Sequence, residues 1–203
     1  MHNRLLGTKA LKFGRIFLYA ALTLVLNGCD TGRQWQLHEI TGHLPDLSFS
    51  LMSDTGQQVT DTTYHGFLVM LFFGFTSCQE ECPATLFRLT KIVQRLEDSA
   101  NRPRILFVTL DPGRDTLQVL HNYVTAFAAG HVVGLTGNES DIEALAKRYR
   151  AAFRPRKSDA DELSHSAAVY VFDPQGHARF LITPEDAIET VATDLHGLLE
   201  SLQ

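Results

Sequence analysis

Residues 67–83 read Phe67-Leu68-Val69-Met70-Leu71-Phe72-Phe73-Gly74-Phe75-Thr76-Ser77-Cys78-Gln79-Glu80-Glu81-Cys82-Pro83. The first seven are apolar without a break, and Gly74 ends the run. A continuous apolar strand is one covered on both faces, as at the centre of a sheet packed between helices. Pro83 suits the first turn of a helix, so it is expected to open one. Leu86, Leu89, Ile92, Val93 and Leu96 then share one helical face. The stretch thus reads as buried strand, polar loop and amphipathic helix, with Cys78 in the loop and Cys82 at the helix start.

The alternation continues on either side. Residues 47–51 alternate polar and apolar, and Asp54-Thr55-Gly56 supplies a turn, which fits an N-terminal β-hairpin. Ile105 to Leu110 is a second buried strand. Asp115 then caps a helix, with Gln118 in capping-box register, and Leu117, Leu120, Tyr123, Val124 and Phe127 point inward. Val132 to Leu135 is a short strand, followed by a helix from about Ser140 to Tyr149 with Asn138 and Ser140 as competing caps. Ala167 to Phe172, the turn Asp173-Pro174-Gln175-Gly176 and His177 to Ile182 form a hairpin, and a last helix runs from Pro184 to Leu202. This order predicts an α/β protein of thioredoxin-like fold, a central mixed sheet flanked by helices with an N-terminal β-hairpin.

The 203 residues suit one domain. With 44% hydrophobic residues, 20% charged residues and a formal net charge of -5, the chain lacks the basic stripe a nucleic-acid binder needs. At the N-terminus, Arg4, Lys9, Lys12 and Arg15 precede an apolar run from Ile16 to Leu26. That is the layout of a secretory signal, and the run is short for a membrane span. It ends in Leu26-Asn27-Gly28-Cys29, which resembles a bacterial lipobox and makes Cys29 the lipidated residue. The expected organisation is a lipoprotein signal peptide over 1–28, a tether over 29–43 and the thioredoxin-like domain over 44–203. The domain would sit on the extracytoplasmic, periplasmic face of a bacterial membrane, held by lipid.

The only cysteines are Cys29, Cys78 and Cys82, so the domain has no disulfide framework. A pair this close closes too short a loop to staple a fold. Beside a helix N-terminus, unpaired backbone N–H groups favour thiolate, the form that binds soft metal and attacks disulfides. Three residues separate the two sulfurs, so both can turn towards one ion, and Glu80 and Glu81 add negative charge near them. Metal binding and redox chemistry both remain open on these residues alone. Further along, Leu163-Ser164-His165-Ser166 places an imidazole just before a strand. In a thioredoxin fold that strand entrance faces the cysteine loop, which makes His165 a candidate third ligand.

Three blocks together resemble the SCO/SenC family of copper proteins. They are Phe73 to Pro83, Val108-Thr109-Leu110-Asp111-Pro112-Gly113-Arg114-Asp115-Thr116, and His165-Ser166-Ala167-Ala168-Val169-Tyr170. The match runs from about Leu44 to near the C-terminus. The resemblance implies a membrane-tethered, thioredoxin-like domain that binds copper, as Cu(I) or Cu(II), through Cys78, Cys82 and His165. It also implies a role in assembling the copper A centre of cytochrome c oxidase, with the subunit carrying that centre as partner. Other periplasmic copper or thiol-redox proteins are further candidate partners. One departure is plain: the family usually has Pro-Asp after the first cysteine, where this chain has Gln79-Glu80, so a rigid loop element is missing.

Two thiolates and an imidazole suit trigonal Cu(I), or Cu(II) with one more ligand. A structural zinc site would want four protein ligands, and His121, His131, His177 and His196 read as surface or packing residues. The expected function is a copper metallochaperone, which binds and transfers without turnover. The alternative is a thiol-disulfide oxidoreductase using Cys78 and Cys82 as its redox pair, either on the copper-site cysteines of an oxidase subunit or in redox signalling.

Overall fold

The computed structural model describes residues 33–96, 103–127, 130–154 and 164–202. The expected signal segment 1–28 and the lipidation residue Cys29 lie outside them. The strands are β1 (His38–Glu39), β2 (Ser50–Ser53), β3 (Gln58–Thr60), β4 (Val69–Gly74), β5 (Arg104–Thr109), β6 (Val132–Thr136), β7 (Phe153–Arg154), β8 (Ser164–His165), β9 (Val169–Phe172) and β10 (Ala178–Ile182). The helices are α1 (Glu81–Arg95), α2 (Leu117–Thr125), α3 (Glu139–Arg148) and α4 (Ile188–Ser201).

Eight strands form one mixed sheet in the order β1-β10-β9-β4-β5-β6-β2-β3, and β7 and β8 form a separate two-stranded ladder. At its centre β4 runs parallel to β5 and antiparallel to β9. The thioredoxin-like α/β layout and the N-terminal hairpin of β2 and β3 match expectation.

The unbroken apolar character of β4 has a direct structural cause. Met70 and Phe72 enter a core shared with Leu86, Leu89, Ile92 and Val93 of α1 and with Val191, Leu195 and Leu198 of α4. Val69, Leu71 and Phe73 enter a second core on the opposite face, with Ile142, Leu145 and Ala146 of α3. Side chains alternate across a strand, so a strand buried on both sides needs an apolar residue at every position.

Several boundaries differ from the sequence expectation. The tether expected over 29–43 is folded from Trp35 onward. The Trp35 ring packs edge-on against Phe180 at 5.2 Å, Leu37 and Ile40 are buried, and His38–Glu39 pairs with β10. Asp194 of α4 clasps this segment, its Oδ2 accepting from the backbone N–H groups of Gln36 (2.7 Å) and Leu37 (2.8 Å). The compact unit accordingly begins at Trp35.

Asp115 does not cap α2. Thr116 does, its hydroxyl accepting from the N–H of Val119, because the Asp115 carboxylate is engaged elsewhere. Leu117, expected to point inward, is 39% exposed at the first position of α2. Asn138 wins over Ser140 as the cap of α3, accepting from the N–H of Asp141. Pro83 is the third residue of α1 rather than its opening one, which costs nothing because first-turn N–H groups have no partner inside the helix. The last helix starts at Ile188, since Asp186 folds back to accept from the N–H and hydroxyl of Thr183.

Candidate metal centre

The cysteine loop leaves the end of β4, where the core is densest. Cys82 is the second residue of α1 and is fully buried, whereas Cys78 is only partly covered and packs against both cores. Cys78 Sγ accepts from the backbone N–H of Cys82 at 3.4 Å. A cysteine sulfur thus takes one of the free N–H groups at the start of α1, the place a capping oxygen would fill.

Gly74 makes room for the second sulfur. A Cβ on Gly74 would lie 2.6 Å from Cys82 Sγ and 2.6 Å from Phe107 Cε2. Only a residue without a side chain lets the thiol and the Phe107 ring meet over the strand end.

His165 arrives from β8. The ladder partner Phe153 sets its register, and the N–H of Ser166 donates to the Ala152 carbonyl at 2.8 Å. The imidazole sits edge-on to Phe75 (5.5 Å) and Phe72 (5.8 Å), which fix its plane. Its Nδ1 lies 3.0 Å from the Ser166 carbonyl, which can only accept, so Nδ1 carries the proton. Nε2 is left with its lone pair directed at Cys82 Sγ, 3.1 Å away. Cys78 Sγ, Cys82 Sγ and a His165 ring nitrogen all lie within 4.8 Å of one another. Among the described residues this is the one His, Cys, Asp or Glu cluster with metal-binding geometry.

Burial is the main force on the Cys82 thiol and pushes its pKa up. A backbone hydrogen bond from Phe75 only partly offsets this, and Cys78 and Glu81 push the same way as burial. Without metal, Cys82 is therefore a thiol that donates to His165 Nε2. The helix-start position alone led us to expect a thiolate, but loss of hydration outweighs it. A soft cation entering between S and N would replace that shared proton.

A buried carboxylate steadies the loop from behind. Asp115 is 2% exposed. Its Oδ2 accepts from the N–H of Thr76 (3.0 Å) and the hydroxyl of Thr109 (2.5 Å), and its Oδ1 accepts from the Thr76 hydroxyl (2.6 Å). Three hydrogen bonds tie the residue two places ahead of Cys78 to the end of β5. The other histidines lie elsewhere: His121 pairs with Asp54, His131 meets the Pro103 carbonyl, His177 pairs with Asp173 and His196 with Glu200. Sequence reasoning found all three clustered residues but missed Gly74 and Phe75 as their supports. The one available signal was a glycine ending a buried strand just ahead of a cysteine loop, where close approach is the usual reason.

The SCO1/SenC family profile matches residues 40–200. The human mitochondrial SCO1 homologue is 35% identical over 133 residues, covering 63% of this chain and 44% of the human protein. This chain therefore aligns with less than half the length of that relative. Among solved structures, copper-bound Arabidopsis thaliana ScoI superposes with a TM-score of 0.68 at 28% identity, covering 77% of this chain and 97% of that one. Copper-bound yeast Sco1 gives 0.69 at 27% identity, covering 77% and 90%. A profile that takes in both cysteines, His165 and nearly the whole folded unit leaves one conclusion: this chain belongs to the SCO1/SenC family.

Proposed function

We propose that the protein is a copper carrier that takes up one copper ion between Cys78, Cys82 and His165 and delivers it during cytochrome c oxidase assembly. The observation that carries this reading is the convergence of two thiols and a metal-ready imidazole nitrogen within 4.8 Å. The donor set is soft, three-coordinate and poor in oxygen, which suits Cu(I) better than a hard divalent ion. Copper-bound relatives of the same fold support the choice of metal. Binding displaces the proton between Cys82 and His165, so uptake releases protons and weakens as the solution becomes more acidic. The copper A subunit of the oxidase is the partner this reading assigns.

The domain organisation belongs to the same proposal: a signal over 1–28, a lipid on Cys29 and a domain held at the outer face of a bacterial membrane. No helix among the described residues is long and apolar enough to cross a membrane. Metabolic labelling with a fatty-acid analogue tests this, with label expected on the wild type and absent from Cys29→Ala.

A second reading has its own support. Cys78 and Cys82 are both free and lie side by side. The pair could pass two electrons and two protons to a partner disulfide, closing its own S–S bond as the partner regains two thiols. An anaerobic Cu(I) titration of wild type and His165→Ala separates the readings. The copper carrier predicts one ion per wild-type chain and an affinity lower by 10-fold or more in the variant. Equal, stoichiometric binding by both proteins would remove His165 from the site. No binding by the wild type, with brisk reduction of a test disulfide, would transfer the function to the second reading.

A further inference from the structure

The first folded residues leave little slack behind the expected lipid. Trp35 packs against Phe180, Asp194 holds the amides of Gln36 and Leu37, and Leu37 and Ile40 are buried. His38 and Glu39 pair with Leu181 and Phe180, and the Ile40 amide donates to the Arg179 carbonyl at 2.9 Å. Five residues, 30–34, remain between Cys29 and Trp35. Whatever their conformation, a peptide chain gains at most about 3.6 Å per residue, so Trp35 stays within about 20 Å of an acylated Cys29. A tether running over the whole of 29–43 would reach more than twice as far.

This short link joins one edge of the sheet. β1 has β10 as its only sheet neighbour, and both its residues are exposed. β3 forms the other edge, seven strand spacings or about 34 Å away. That is farther than the link can extend, so chain length alone confines one edge near the lipid and leaves the other free of it. Trp35 is the only tryptophan in the chain, and an indole suits the boundary between water and lipid. We propose that the β1 edge, with Trp35 at its entrance, is the membrane-facing surface of the domain and lies against lipid headgroups. The proposal rests on the lipid reading of Cys29 and adds an orientation to it. β4 lies three strands in from this edge, about 14 Å, so the cysteine loop is carried in the half of the sheet nearer the bilayer. A copper acceptor embedded in the same membrane is then within its reach.

The test uses protein produced from the complete chain, reconstituted in phosphatidylcholine–phosphatidylglycerol vesicles that contain a headgroup spin-labelled lipid, and reads tryptophan fluorescence. Trp35 emission should be quenched several-fold more than that of Trp35→Phe/Gln58→Trp, which moves the single indole to the exposed first position of β3. Phenylalanine at 35 keeps a ring against Phe180. Inserting about twelve Gly/Ser residues between Gly32 and Arg33, ahead of the folded unit, gives a flexible link that should make the two reporters equal. Equal quenching of both reporters without the insertion, or no quenching of either in vesicle-bound protein, would overturn the proposal. Mass spectrometry of the same sample reports the lipid. If Cys29 carries none and the chain is held by its apolar run, which ends at Leu26, the lipid reading falls alone. The link is still short in that case, and the contrast between the two reporters decides the edge.

Discussion

At the scale of single residues, the site depends on what is missing as much as on what is present. Gly74 has no side chain, and that is why Cys82 can lie buried against Phe107. Gly74→Ala should force the sulfur or the ring aside, costing about 1–3 kcal/mol by overpacking. Urea unfolding would measure that cost, and chelator competition should show weaker Cu(I) binding even though no ligand has changed. Identical stability and affinity in the variant would show that the strand end can yield. Cys78, Cys82 and His165 were legible in the sequence because their chemistry is scarce and their flanks are regular. The state of Cys82 was not legible, because thiol or thiolate depends on hydration, which depends on how deep the second residue of α1 lies.

Elements show a different balance. The apolar runs of β4, β5 and β9 and the helical face of α1 were readable because one periodicity fitted each. Helix starts were not. Asp115, Ser140 and Pro184 all carry good local starting signals, yet Thr116, Asn138 and Ala187 take the positions. In the case of Asp115 a tertiary demand wins, since its carboxylate joins the loop ahead of Cys78 to the end of β5. Asp115→Ala should destabilise the protein by about 2–3 kcal/mol, as two threonine hydroxyls and a backbone N–H lose their acceptor. Asp115→Asn keeps one acceptor oxygen and should lose less. Chemical denaturation of the three proteins would rank them, and an alanine variant as stable as wild type would mean that the loop holds itself.

For the molecule as a whole, one of the two cores, the one that takes Val69, Leu71 and Phe73 of β4, buries tyrosines as well as aliphatic residues. Tyr64 and Tyr170 are buried, and loss of hydration pushes both pKa values from 10.0 up to about 12. The folded protein therefore holds these protons through a range where the unfolded chain has released them. Stability from this source is complete below about pH 10 and falls as pH rises from 10 to 12. Equilibrium unfolding across that range should show a steepening loss, weaker in Tyr170→Phe; a flat profile would contradict the burial. The boundary of the domain is also a whole-molecule property. Residues 29–43 read as a tether because of Gly32, Gln34, Gln36 and Gly42, but Asp194, more than 150 positions away, supplies a clasp on Gln36 and Leu37.

The bond from the Cys82 amide to Cys78 Sγ has a use beyond holding the helix start. Its acceptor is the sulfur itself, so anything that changes that sulfur also changes the electron density felt by one backbone proton. Protonation, metal capture and disulfide formation would each give that amide a different resonance. A single nitrogen-15 label at Cys82 makes the backbone a native gauge of the site, with no dye, tag or substitution in the protein it reports on.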